Sequence, residues 1–152
     1  MKKLALIPAT GFGLGWSPLA SGTVGSLPGV LIAWGIVSWS TGLQILTAVV
    51  MAAVAVPLCD AAEQYLGRKD DGRIVADEYM TFPICLIGIP WLNHPWFLAV
   101  AFVICRLLDI VKPPPARQAQ DLTGGLGIVA DDVISSLYAL LINHLLWRFI
   151  VV

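Results

Sequence analysis

The residues that could carry chemistry fall into three tight groups. Asp77 and Glu78 follow Ile74-Val75-Ala76 and open an apolar stretch. Asp131 and Asp132 follow Gly124-Gly125-Leu126-Gly127-Ile128-Val129-Ala130 and open another. One acid at a helix start is explained by the helix dipole. Two adjacent carboxylates against apolar neighbours are costly unless something cationic is present. The third group is Arg106, Asp109 and Lys112. Their i,i+3 spacing puts them on one helix face, and Pro113-Pro114-Pro115 stops that helix. An internal ion-pair ladder would use the same spacing.

Together the groups supply five carboxylates, one Lys and one Arg. Carboxylate oxygens without a His/Cys set suit a hard cation, Mg²⁺ first. Lys and Arg beside such a cation suit a phosphate. A stretch from Gly11 to Gly29, with six glycines and several hydroxyls, includes Gly22-Thr23-Val24-Gly25-Ser26. Its backbone N–H groups could cradle phosphate oxygens. It is not a Walker A loop, because no Gly-Lys-Ser/Thr follows. Small residues also serve close helix packing in a membrane. No C-x₅-R or D-x-D-x-T motif is present, so covalent phosphatase chemistry lacks its usual marks. The chemistry these residues suit is metal-assisted phosphoryl transfer to water.

The elements that must position these groups are apolar. Of 152 residues 58% are hydrophobic and 12% charged, against about a quarter charged in an ordinary soluble domain. That balance excludes a disordered tail, a nucleic-acid binder driven by net basicity and a typical soluble enzyme. Five apolar stretches span about 27–39, 43–65, 79–92, 95–111 and 128–152. A membrane crossing takes about 20 residues. The second and last are long enough, the fourth is close, and the first and third are short enough to be tilted, re-entrant or packed inside a bundle. The glycine-rich stretch reads as a loop that enters a helix near 23–27. Lys2 and Lys3 precede an apolar run that ends at Pro8, too short for a signal peptide, so the N-terminus reads as mature protein.

Seven of the nine Lys/Arg lie at 2–3, 68–73 and 112–117, and five crossings would put all three places on one side. The positive-inside rule makes that side cytoplasmic. The acids, Asp60 and Glu63 among them, gather there too, which that rule does not require. Asp60 and Glu63 read as a solvated face before outer partners of a site. Cys59, Cys85 and Cys105 stand alone in apolar runs and read as small hydrophobes. His94 and His144 lack metal-ligand spacing. The six tryptophans, at 16, 34, 39, 91, 96 and 147, read as packing residues and in part as interfacial anchors.

Four blocks, in order, resemble the phosphatidylglycerophosphatase A family. They are Gly11-Phe12-Gly13-Leu14-Gly15 through Gly22-Thr23-Val24-Gly25-Ser26-Leu27, then Ile74-Val75-Ala76-Asp77-Glu78. Arg106-Leu107-Leu108-Asp109-Ile110-Val111-Lys112-Pro113 follows, and Gly124-Gly125-Leu126-Gly127-Ile128-Val129-Ala130-Asp131-Asp132 closes the series. The resemblance implies one all-α membrane phosphatase domain over 1–152, an integral helical bundle with about four to five apolar segments and glycine-rich cytoplasmic loops. It implies Mg²⁺-dependent hydrolysis of phosphatidylglycerophosphate to phosphatidylglycerol and phosphate at the cytoplasmic side of the bacterial inner membrane. The partner is a bilayer phospholipid; nucleic acid has no place, and oligomeric state is open. Carried over, Asp77, Glu78, Asp131 and Asp132 hold Mg²⁺ or position water, with Asp109 the fifth catalytic carboxylate. Arg106 and Lys112 bind phosphate with Thr23, Gly25 and Ser26. Which carboxylate is the base stays open. Ser21, Thr81, Pro83 and Gln120 depart from the family pattern and bear on packing and head-group contacts more than on the reaction.

Three other readings remain. A small cation transporter or channel subunit explains intramembrane acids, but not Lys112, Arg106 and a hydroxyl-rich loop beside them. A non-catalytic scaffold fits the departures and not the intact acid pairs. A phosphatase for another lipid phosphate would have the same site.

Overall fold

The computed structural model describes residues 2–151, with side chains from Lys3 onward; the Lys2 charge and the last residue of the 128–152 stretch lie outside the described residues. Among the described residues the chain is all helical, without a strand. The α-helices are α1 (Lys2–Ala9), α2 (Ser21–Gly25), α3 (Leu27–Ile36), α4 (Thr41–Leu66), α5 (Ala76–Thr81), α6 (Trp96–Val111), α7 (Ala116–Ala119) and α8 (Gly125–Leu146). A π-helical turn, Trp147–Val151, extends α8.

Two helices are long and apolar enough to cross a membrane, Thr41–Leu66 and Gly125–Val151. The other apolar stretches are shorter as helices: α3 has 10 residues and α6 has 16. The outer faces nevertheless form one belt. Leu31 and Trp34 of α3, Leu46 and Val50 of α4, Val103 and Leu107 of α6, and Leu137 and Leu141 of α8 are all exposed. Water-soluble surfaces rarely carry so much contiguous apolar area. Ser40 starts α4 by accepting the Leu43 N–H at 3.4 Å, and Gly67 ends it at φ 69°.

The 79–92 stretch is not one helix. It is packed inside the bundle as the end of α5, a 3₁₀ segment Phe82–Leu86 and a 3₁₀ turn Trp91–Asn93. Pro83, Gly88 at φ 75° and Pro90 interrupt it. Its backbone is satisfied by side chains of the two long helices. Gln44 accepts from the Gly88 N–H at 2.9 Å, Asn143 donates to the Cys85 carbonyl at 2.9 Å, and the His144 ring meets the Ile87 carbonyl at 2.9 Å. Irregular backbone at membrane depth survives only with such partners. Around it pack Phe82, Trp91, Phe97, Ala101 and Cys105.

The glycine-rich stretch differs from expectation in its first half, which is wound into a 3₁₀ segment, Gly11–Trp16; its second half enters helix near the expected place, with α2 and then α3. Glycine here removes bulk. A Cβ on Gly25 would overlap Val75, and one on Gly15 would overlap the Arg73 carbonyl. These contacts pull the stretch against the chain that leads into α5, and a second core of Ala9, Cys59, Val75, Tyr79 and Val129 forms beneath.

Candidate active site

The start of α3, the start of α5, the end of α6 and the start of α8 meet at one end of the bundle. There the structure brings together Ser26, Asp77, Glu78, Arg106, Asp109, Lys112, Asp131 and Asp132. Asp77, Asp109, Asp131 and Asp132 are buried; Glu78, Arg106 and Lys112 are half-buried.

Arg106 is the hub. It reaches Asp109 at 2.8 Å, Glu78 at 3.4 Å and the Ser26 hydroxyl at 3.2 Å. Ser26 in turn donates to the Gly22 carbonyl at 2.7 Å. Gly22 packs against this contact: a Cβ there would press on the ends of the Glu78 and Arg106 side chains, which would have to shift. Lys112 ends α6 in a left-handed conformation, φ 49°, immediately before Pro113. That conformation is strained for a side-chain-bearing residue. It sends the ammonium to Asp131, with which it is paired. Asp132 lies against Asp109 and Asp77.

The two acid pairs sit differently. Asp77 and Glu78 occupy the first turn of α5, where the dipole favours them. Asp131 is the seventh residue of α8, almost two turns in, where that effect has faded. The N-terminus of α8 is served instead by Asp60, whose carboxylate accepts from the Gly125 N–H at 3.4 Å.

Five carboxylates face two cations, so negative charge is in excess. Asp77 Oδ1, Glu78 Oε2 and Asp131 Oδ1 are buried with no hydrogen-bond partner, as are Arg106 Nε and Ser135 Oγ. An unpaired buried ion costs on the order of several kcal/mol. The excess is felt in the titration. Burial, then Glu78 and Asp109, push the Asp77 carboxyl well above its ordinary range. Burial outweighs the Arg106 guanidinium and lifts Glu78 to about 7. Among the described residues no three His, Cys, Asp or Glu stand together closely enough to hold a metal ion as they are placed here. The donor set is open, oxygen-only and negatively charged. Beside it a hollow of ≈290 Å³ is lined by Asp70, Gln120, Gly127 and Ile128.

Not every sequence expectation lands in this cluster. Val24 and Ser26 donate their backbone N–H groups to the carbonyls of Ala20 and Gly22, at 3.0 and 2.9 Å, within α2. They are engaged in helix and do not form an open cradle. Gly25 faces Val75, and Thr23 is half-buried with no bond to the acids. Sequence reasoning took Gly22 for part of a phosphate cradle and missed its packing against Glu78 and Arg106; it also missed Ser135 and the cap made by Asp60. Ser135 lies i+4 from Asp131 and i+3 from Asp132, a helical spacing that was there to find.

Known proteins resemble the chain across this region. The sequence model described as Phosphatidylglycerophosphatase A matches residues 7–147. The phosphatidylglycerophosphatase A of Haemophilus influenzae is 36% identical over 151 residues, covering 93% of this chain and 91% of that protein. The Escherichia coli K12 protein of the same name is 35% identical over 128 residues, 84% of this chain and 74% of that one. A putative phosphatidylinositol-3-phosphatase of Bacteroides thetaiotaomicron is 30% identical over 157 residues, covering 93% and 94%. No solved structure matches the chain. The matched region contains both acid pairs and the Arg106–Lys112 face, and the chain belongs to the phosphatidylglycerophosphatase A family.

Proposed function

We propose that this chain is a Mg²⁺-dependent lipid phosphatase that hydrolyses phosphatidylglycerophosphate to phosphatidylglycerol and phosphate, working from the cytoplasmic face of the bacterial inner membrane. The observation that carries the proposal is the excess of buried carboxylate beside Arg106, Ser26 and Lys112, with three carboxylate oxygens unpartnered. Membership of the family supports the lipid substrate. The exposed apolar belt and the two long helices support the bilayer.

The donor set fits Mg²⁺. This ion keeps several waters and takes one or two carboxylates plus substrate phosphate, so an open site suits it better than a closed cage. Asp77, Glu78, Asp131 and Asp132 would hold it, with Asp109 beside them. When bound, such a cation neutralises phosphoryl oxygens and eases deprotonation of water.

The chain's own residues do the rest. Arg106 and Lys112 bind phosphoryl oxygens, exchanging carboxylate partners for phosphate. Ser26 fixes the guanidinium, and Gly22 leaves room for it. A carboxylate in the cluster takes the proton of the attacking water. The bond from phosphorus to the lipid oxygen breaks, and that oxygen leaves with a proton as an alcohol. The acyl chains stay in the bilayer, so only the head group needs to reach the site.

The Bacteroides relative favours a second reading, in which the lipid carries its monoester on inositol. Phosphate release from mixed micelles tests both. The first reading expects release from phosphatidylglycerophosphate with Mg²⁺, lost in EDTA, and little from phosphatidylinositol 3-phosphate. The reverse preference would install the second reading. No release from either lipid by folded protein with Mg²⁺ would favour the cation-transport or scaffold readings.

A further inference from the structure

A second polar hollow, ≈340 Å³, lies beside the acid site. Trp16, Ser21, Arg68, Asp71 and Arg73 form its walls. Arg73 lies over the Trp16 ring at 4.8 Å and holds Asp71 with two bonds, at 2.7 and 2.8 Å. The bonds from Arg73 keep the Asp71 carboxyl below its ordinary range, so this pair is ionised and neutral as a unit. Arg68 makes no ion pair among the described residues, and its charge is left over. The rim is apolar: Trp16 is half exposed, and Phe12 and Leu19 are largely exposed nearby. A cationic hollow with an aromatic and aliphatic rim matches the chemistry of a membrane interface.

Two short stretches of chain run from the hollow to the acid site. Ser21 borders the hollow, and Gly22, the next residue, lies against Glu78 and Arg106. Arg73 borders it on the other side, four residues before Asp77. Adjacent Cα atoms are about 3.8 Å apart. Ser21 at the hollow and Gly22 at the Glu78–Arg106 pair are therefore neighbouring positions on one short segment.

Resting on the proposed phosphatase reading, we infer that this hollow is a second anion subsite that holds the phosphodiester of the lipid head group while the monoester sits at Arg106 and Lys112. The two lipids named for the relatives share this pattern: a monoester and a diester on one polyol. Phosphatidic acid has the monoester alone. The subsite selects for the second phosphate, with Arg68 as its charge and Ser21 as a neutral donor.

The test compares Arg68→Ala, Arg68→Lys and Ser21→Ala with the parent protein in mixed micelles containing Mg²⁺. Phosphatidylglycerophosphate and phosphatidic acid are the substrates. Arg68 is exposed, so its removal is tolerated by the fold. Arg68→Ala is expected to raise KM for phosphatidylglycerophosphate about ten-fold, the effect of one lost charge-assisted contact. KM for phosphatidic acid moves less than about two-fold, and Arg68→Lys restores part of the difference. Ser21→Ala gives a smaller shift in the same direction. Equal effects on both lipids, or none on either, would overturn the subsite while leaving the phosphatase intact. A parent protein inactive on both lipids would overturn the phosphatase reading itself.

Discussion

Asp77–Glu78 and Asp131–Asp132 look alike in the sequence and differ in their setting. The first pair stands in the opening turn of a six-residue helix, next to Arg106. The second lies inside a 22-residue helix, beyond the reach of its N-terminal dipole, and among the described residues only Lys112 forms an ion pair with it. Capping could explain the first pair. It cannot explain the second. Local helix physics would reject two buried aspartates at that depth, so their presence is the stronger support for the proposed cation site. The first pair is then read by association, because Asp132 lies against Asp77 and Asp109.

Substitutions can break this comparison, beginning with the second pair. Asp132→Asn should lower Mg²⁺-dependent phosphate release by at least about a hundred-fold. Helicity by circular dichroism should stay unchanged, and normal turnover would remove Asp132 from the site. Asp77→Asn should cost about as much or somewhat less. A much milder loss would make the first pair a cap. Lys112→Ala should raise KM about ten-fold and leave cation affinity nearly unchanged; the opposite split would take Lys112 out of the phosphate role. Gly22→Ala places a methyl group against Glu78 and Arg106 and should slow turnover several-fold, about the effect of small misplacement. Activity equal to the parent would show that this wall yields freely. Asp60→Asn weakens the cap on α8 and the bond from Gln64 and should lower Tm by about 2 °C. A large loss of activity in that variant would move Asp60 into the site.

Much of the site was legible because its residues repeat at helical spacing or stand side by side. Arg106, Asp109 and Lys112 needed only the i,i+3 rule. The two long helices were legible from length and composition. What was not legible depends on contacts between distant segments. Pro83 and Gly88 signal a break in the 79–92 stretch, but its burial depends on Gln44, Asn143 and His144 reaching it from other helices. The first glycines of 11–29 read as a loop because local propensity gives no hint of a close neighbour. Gly15 lies against the Arg73 backbone, Gly11 and Gly25 against the Val75 side chain, and Gly22 against the side chains of Glu78 and Arg106. The contact from Arg106 to Ser26 spans 80 positions, and no local pattern encodes it.

The central claim is that both acid pairs serve one cation. Mn²⁺, substituted for Mg²⁺ and followed by electron paramagnetic resonance on the detergent-purified protein, tests it without reference to turnover. The account predicts saturable binding by the parent protein, displaced by Mg²⁺, and weakened at least about ten-fold by Asp77→Asn and by Asp132→Asn alike. Full binding in either variant would contradict it, because the pair that was changed would not belong to the site.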